Sequence, residues 1–261
     1  MDDRLIWLCL AAAAAGVVNA VAGGGTLLTF PALILALGES AEASVVANAT
    51  STTALFPGSL ASMWGYRREF RGTAHWIRWL LWPSILGGLL GSWLVVQLPA
   101  TWFKLLIPWL ILTATLLFLL QPWIARRTGI GQRHEEPSPQ VIWTIVAFQF
   151  LVGIYGGYFG AGIGILMLSS LALMGVGDIH KMNALKTLFA SVMNGLAVAI
   201  FLWNGKVNWH YAIPMIVAAS VGGFLGASVA RRLDKNLVRR TVIGIGLVLS
   251  IHYFLRIYQI V

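Results

Sequence analysis

The chain is expected to be an all-α, polytopic membrane protein: two inverted repeats with glycine-broken first segments, and roughly 8 to 10 membrane segments in all. Three observations predict it. Of 261 residues, 58% are hydrophobic and only 10% charged, with a mean hydropathy of +0.80, outside the range of water-soluble domains. Runs almost free of charge recur at 5–37, 43–64, 75–97, 102–124, 141–176, 182–203, 208–230 and 237–258. The glycine pattern of the first half returns in the second.

Taken in order, most of these runs have the roughly 20 apolar residues that a single helix needs to cross a bilayer. The first and fifth are too long. Residues 5–37 would extend about 50 Å as one helix, whereas a break at Gly23, Gly24 and Gly25 gives two legs of about 25 Å. The stretch "YFGAGIGILML" at 158–168 repeats the arrangement with Gly160 and Gly162. Glycine lets the chain turn within the membrane, and non-helical backbone at that depth persists only where protein or a water-lined cavity satisfies it. The simpler alternative is close helix packing, a common use of small residues in membranes.

A shift of 137 superimposes Gly16, Gly23, Gly25 and Gly38 on Gly153, Gly160, Gly162 and Gly175. A shift of 135 places Asn48 on Asn183, Thr52 on Thr187, His75 on His210, Gly87 and Gly88 on Gly222 and Gly223, and Lys104 on Arg239. The expected organisation is a first repeat at 1–124, a cytoplasmic linker at 125–140 and a second repeat at 141–261. Twelve of the eighteen Lys and Arg residues fall in three places, around Arg67 to Arg78, Arg126 to Arg133 and Arg231 to Arg240. The positive-inside rule puts all three in the cytoplasm. Their equivalents in the opposite repeat carry only Lys206 and Lys104, so a loop that is inside in one copy is outside in the other.

Composition also excludes functions. The net charge of +9 sits in short loops, where it sets topology, so no nucleic acid partner is expected. "LCLAAAAAGVVNAVA" resembles a signal region, but the preceding "MDDR" is net acidic, and a multi-pass cell-membrane protein is the expectation. Cys9 is alone, which excludes an internal disulfide framework. "GAGIGIL" imitates a dinucleotide fingerprint without the surrounding βαβ unit. The runs contain no set of metal ligands and no Ser, His and acid constellation, so no metal, cofactor or enzymatic activity is expected.

All nine carboxylates lie at run ends or in loops, which argues against a cation pathway. Lys186 is the one basic residue well inside a run. It shares a helical face with Asn183, Thr187, Ala190 and Asn194. The first copy repeats this face with Asn48, Ser51, Thr52, Leu55 and Ser59. Two polar stripes with one cation suit a small anion held between the repeats. A helix starting after Gly25 or Gly162 would add its free N–H groups and dipole. The expected substrate-binding residues are Gly24, Gly25, Thr26, Asn48, Ser51, Thr52, Gly160, Gly162, Asn183, Lys186, Thr187 and Asn194. The competing readings are that Lys186 snorkels to the headgroups and that the hydroxyls bond their own helices.

At these residues the sequence resembles the TauE/SafE-type sulfite exporter family. The resemblance rests on "AGGGTLLTFPAL", "YRR", "GIYGGYFGAGIG", "NALK" and "GGFLGA", in that order across nearly the whole chain. The chain has "AEASVVAN" where the family pattern carries a Pro and a Thr before the Asn. The resemblance implies a secondary transporter, usually an exporter, of small sulfur-containing or organic anions such as sulfite or sulfonates, in the bacterial inner membrane. Its partners would be a small anionic substrate and the lipid bilayer, with a homodimer allowed. An anion channel is the alternative, and a membrane-embedded enzyme a more distant one.

Overall fold

The computed structural model describes residues 3–21, 24–128, 138–229 and 235–258. Among them are ten helices and no strand. Five precede the interhelical segment at 129–137: α1 (Asp3–Val21), α2 (Thr26–Leu37), α3 (Ala41–Gly65), α4 (Ala74–Gln97) and α5 (Ala100–Thr128). Five follow it: α6 (Pro139–Tyr158), α7 (Ile163–Leu173), α8 (Ile179–Trp203), α9 (Trp209–Val229) and α10 (Lys235–Ile257). The two over-long runs are each split into a long helix and a short one. The legs are unequal, 19 and 12 residues in the first and 20 and 11 in the second, or about 28–30 against about 16–18 Å at 1.5 Å per residue. Helix α5 continues to Thr128, four residues into the segment expected as linker.

Helices α4, α5, α6, α8 and most of α10 are long and apolar enough to cross a membrane. Contacts between helix ends show which ends share a face. The guanidinium of Arg4 donates to Ala36 O at 3.3 Å, so α1 starts beside the end of α2. The same face holds the ion pairs Lys206–Glu42 at 3.1 Å and Arg256–Glu39 at 2.7 Å. On the opposite face Trp76 Nε1 donates to Met174 O at 3.1 Å, and the Trp79 and Trp143 rings meet edge to face at 5.7 Å. Thus α1–α2 enters and leaves by one face, α6–α7 by the other, and six helices run between faces. The second face carries Arg67, Arg68, Arg71, Arg126, Arg127 and Lys181, and the charge rule assigns it to the cytoplasm. His75 and His210 fall in the first turns of α4 and α9, at the faces.

The two halves are interleaved. Helix α1 packs along α9, and α6 along α4, so the long leg of each broken pair lies against the fourth helix of the other half. Glycine makes these contacts tight. A Cβ on Gly91 would run into Ile154 O and Tyr158 N, one on Gly87 into Phe150 O, and one on Gly157 into Gly88 O. Across α1 and α9, a Cβ on Gly16 would meet Ala219 O, and one on Gly222 would meet Ala13 O. Gly16 and Gly153, matched by the repeat, therefore serve helix packing, whereas Gly25, Gly160 and Gly162 lie at the breaks and Gly38 and Gly175 follow the ends of α2 and α7. The rest of the interior is one apolar cluster built around Phe30, Phe103, Phe118, Phe159 and Phe201, and a second built on α4, α6, α7 and the first half of α8.

Candidate functional site

The second break is held by Tyr155. Its carbonyl accepts the amides of Phe159 and Gly160 at 2.9 and 3.1 Å, and its hydroxyl donates to Ala161 O at 2.7 Å. Gly160 and Gly162 have φ of +81° and +77°, a conformation that costs an L side chain roughly 1–2 kcal/mol. Helix α7 then starts with no side-chain cap; its first helical bond runs from Ile165 N to Gly162 O at 3.2 Å, and the amides of Ile163 and Gly164 precede it. In the first break α2 also starts without a side-chain cap, but Gly25 lies at φ −54°, ψ −34°. Gly25 matches Gly162 in sequence and not in conformation. What excludes a side chain there is space, since a Cβ would sit 2.8 Å from Ala15 O and 3.2 Å from Leu55 Cδ1. Gly23 lies outside the described residues.

The two breaks meet on one turn of α5. The Phe118 ring fills the position a Cβ of Gly24 would need, while Leu117 Cδ1 and Ala114 Cα lie 3.5 and 3.6 Å from the same position on Gly162. Phe30 of α2 meets Phe159 of the second break edge to face at 5.4 Å. Helix α3 ties both together. Asn48 Nδ2 donates to Tyr158 O at 3.0 Å, and one turn on, the Ser51 hydroxyl lies 2.6 Å from that of Thr29. Thr29 in turn donates to Gly25 O at 3.3 Å. Both helix N-termini therefore open inside the protein, in one region.

Lys186 comes from α8 beside this region. Its Cδ lies 3.3 Å from where a Cβ of Gly164 would be, so its methylene stem uses the space that Gly164 leaves in the first turn of α7. Its ammonium has no hydrogen bond or ion pair among the described residues. Of the five buried polar atoms without a partner among the described residues, two belong to the residues that α3 joins to the second break, Asn48 Oδ1 and the Tyr158 hydroxyl, and three lie on Glu69, Gln149 and Arg239. Unpartnered buried polar atoms are rare because each costs about 1–3 kcal/mol, so the two on Asn48 and Tyr158 would gain from a polar partner.

The remaining expected residues are placed less centrally. Asn183 Nδ2 donates to Ile179 O at 2.9 Å and Thr187 to Ala184 O at 2.8 Å, both within their own helix. Thr26, Thr52 and Asn194 are half-buried and make no side-chain hydrogen bond among the described residues. Asn194 adjoins the crossing of α8 with α3, where Ser191 donates to Ser59 O at 3.0 Å and Gly195 faces Phe56. Sequence reasoning missed Thr29, Tyr155, Tyr158 and Gly164. The two tyrosines flank the second glycine cluster, which was the available signal; Thr29 and Gly164 matter only through what packs on them.

Asn48→Ala removes the donor to Tyr158 O and leaves a buried carbonyl unpaired. A loss of roughly 1–3 kcal/mol is expected, read as a lower unfolding temperature of the purified protein.

The profile of the Sulfite exporter TauE/SafE family matches residues 8–253. Among curated relatives, a "Probable membrane transporter protein" of Haemophilus influenzae is 28% identical over 92% of this chain and 91% of its own. The "Probable membrane transporter protein ORF9" of a Sinorhizobium species is 28% identical over 95% and 91%. The "Probable membrane transporter protein YfcA" of Escherichia coli K12 is 26% identical over 90% and 84%. No solved structure matches. With nearly its whole length matched and a helical bundle built around two intramembrane breaks, this membrane transporter belongs to the TauE/SafE sulfite exporter family.

Proposed function

We propose that the protein is a secondary transporter that exports small sulfur-containing or organic anions, such as sulfite or sulfonates, across the bacterial inner membrane by alternating access. The observation that carries this reading is the convergence of two uncapped helix N-termini on one turn of α5, beside a lysine whose ammonium has no internal partner. Backbone N–H groups and a single cation stabilise an anion without the full penalty of a buried acid and base pair. Asn48, Ser51, Thr29 and Tyr158 supply amide and hydroxyl groups around it, and the stripe from Asn183 to Asn194 forms the opposite wall.

Interleaving sets what moves. The glycine contacts lock α1 to α9 and α4 to α6 backbone against backbone, so the two halves of the sequence cannot separate as rigid bodies. The units that rock are each a broken pair together with the helix of the other half that it is locked to. Release of a monovalent anion from a negative interior is favoured by about 2.3 kcal/mol per 100 mV, so energetics do not demand a coupled cation.

Counterflow tests the proposal. Proteoliposomes loaded with unlabelled sulfite are expected to take up labelled external sulfite transiently above equilibrium, with saturation. Uptake without this overshoot, at rates that rise linearly with concentration, would replace the carrier by a channel.

A further inference from the structure

On the face away from the arginine-rich loops, a cavity of about 140 Å³ opens between α2, α3, α5 and α10. One water needs only about 10–15 Å³ of such space, so there is room for a small polyatomic ion. Apart from isoleucines, its walls are Glu39, Ser44, Lys104, Tyr253 and Arg256. The carboxylate of Glu39 accepts from Arg256 Nε at 2.7 Å, and the two side chains are 34% and 56% exposed. Lys104 is half-buried and has no hydrogen bond or ion pair among the described residues. The nearby Glu42 is already paired with Lys206. The cavity thus holds two cations against one carboxylate.

The cavity adjoins the region of the breaks. Phe103, next to Lys104, packs its ring 5.4 Å from that of Tyr158, whose backbone carbonyl receives Asn48. Ser44 stands one turn before Asn48 on the same helix. Glu39 lies on the short connection between α2, the second leg of the first break, and α3, whose N-cap is Ser40. A carboxylate on that connection is a tethered anion that can leave Arg256 when a free one arrives. Partly exposed ion pairs are worth only about 1 kcal/mol or less, which makes exchange easy.

We propose that this cavity is an outer-face binding site for a small free oxyanion, held by Lys104 and Arg256, with Glu39 standing in for that anion when it is absent. The inference rests on the anion-transport reading, but its test is a binding measurement that does not require flux through the central site.

Sulfite is titrated calorimetrically into the full chain in detergent, in a Lys186→Met background that removes the central cation. One binding event is expected to remain. Lys104→Gln and Arg256→Gln each weaken it by about tenfold or more, the scale of one lost charge-assisted contact. Glu39→Gln tightens it by about tenfold, a gain that misfolding cannot imitate. Absence of binding in the Lys186→Met protein, or affinity unchanged by either cation substitution or by Glu39→Gln, overturns the proposal. The same oxyanion chemistry is present in lipid phosphates. The titration is therefore repeated in nanodiscs of phosphatidylcholine alone and with half phosphatidylglycerol, and equal affinities are expected. Sulfite affinity that collapses with phosphatidylglycerol would assign the cavity to headgroups instead. The transport reading fails on a separate readout, undiminished flux in Lys186→Met.

Discussion

Lys186→Met is expected to lower sulfite flux in proteoliposomes by roughly 10- to 100-fold while leaving the protein folded, because a hydrogen bond to a charged group contributes about 1.5–3 kcal/mol. Methionine is the informative substitution. It keeps an unbranched apolar stem in the gap over Gly164 and removes only the ammonium, so packing and charge are separated. Lys186→Arg keeps the charge but must fit a planar head beyond a stem already packed over Gly164, and partial recovery is expected. Asn183→Ala should fall between these variants and wild type, since its amide is already engaged by Ile179 O. Flux in Lys186→Met equal to wild type would leave the convergence of the helix N-termini without its cation, and the proposed site would be withdrawn.

The second large effect concerns stability. Gly91→Leu places a side chain where Ile154 O and Tyr158 N already stand, and both obstacles are backbone. No rotamer relieves that, so α4 and α6 must move apart. Overpacking in a well-filled interior commonly costs about 1–3 kcal/mol, and a backbone obstacle belongs at or above the top of that range. Thermal unfolding in detergent is expected to show a large drop or no folded protein at all. Gly244→Ala supplies the contrast. It lies in α10 with nothing near its would-be Cβ, and alanine favours a helix over glycine by up to about 1 kcal/mol, so unfolding should be unchanged or slightly raised. Equal tolerance of both substitutions would remove the argument that glycine locks the interleaved helices.

Much of the fold was legible before any coordinates. Long uncharged runs gave the helices within a few residues; for example, the run at 75–97 became Ala74–Gln97. The over-length of 5–37 and 141–176, with glycines at their centres, gave the two breaks. Less of the site was legible. The expected stripe on α8 formed, yet Asn183 and Thr187 turned to their own helix, as polar side chains in membrane helices commonly do. Asn48 and Ser51 instead bridge to other elements, and their stripe explains why α3, which runs from one face to the other, is not among the five helices long and apolar enough to cross a membrane by composition.

Membrane residence, the placing of the arginine-rich loops on one side and the positions of the breaks were determined by the sequence itself. Each depends on how single residues behave: charge avoids hydrocarbon, and glycine permits what other residues resist. Only the tertiary structure decided that α1 pairs with α9 and α4 with α6, that both breaks rest on one turn of α5, and that Gly25 and Gly162, equivalent in the repeat, take different conformations. Those outcomes depend on how pairs of surfaces fit. In a membrane, lipid tails are as apolar as leucine, so hydropathy carries no record of which helix will be the neighbour.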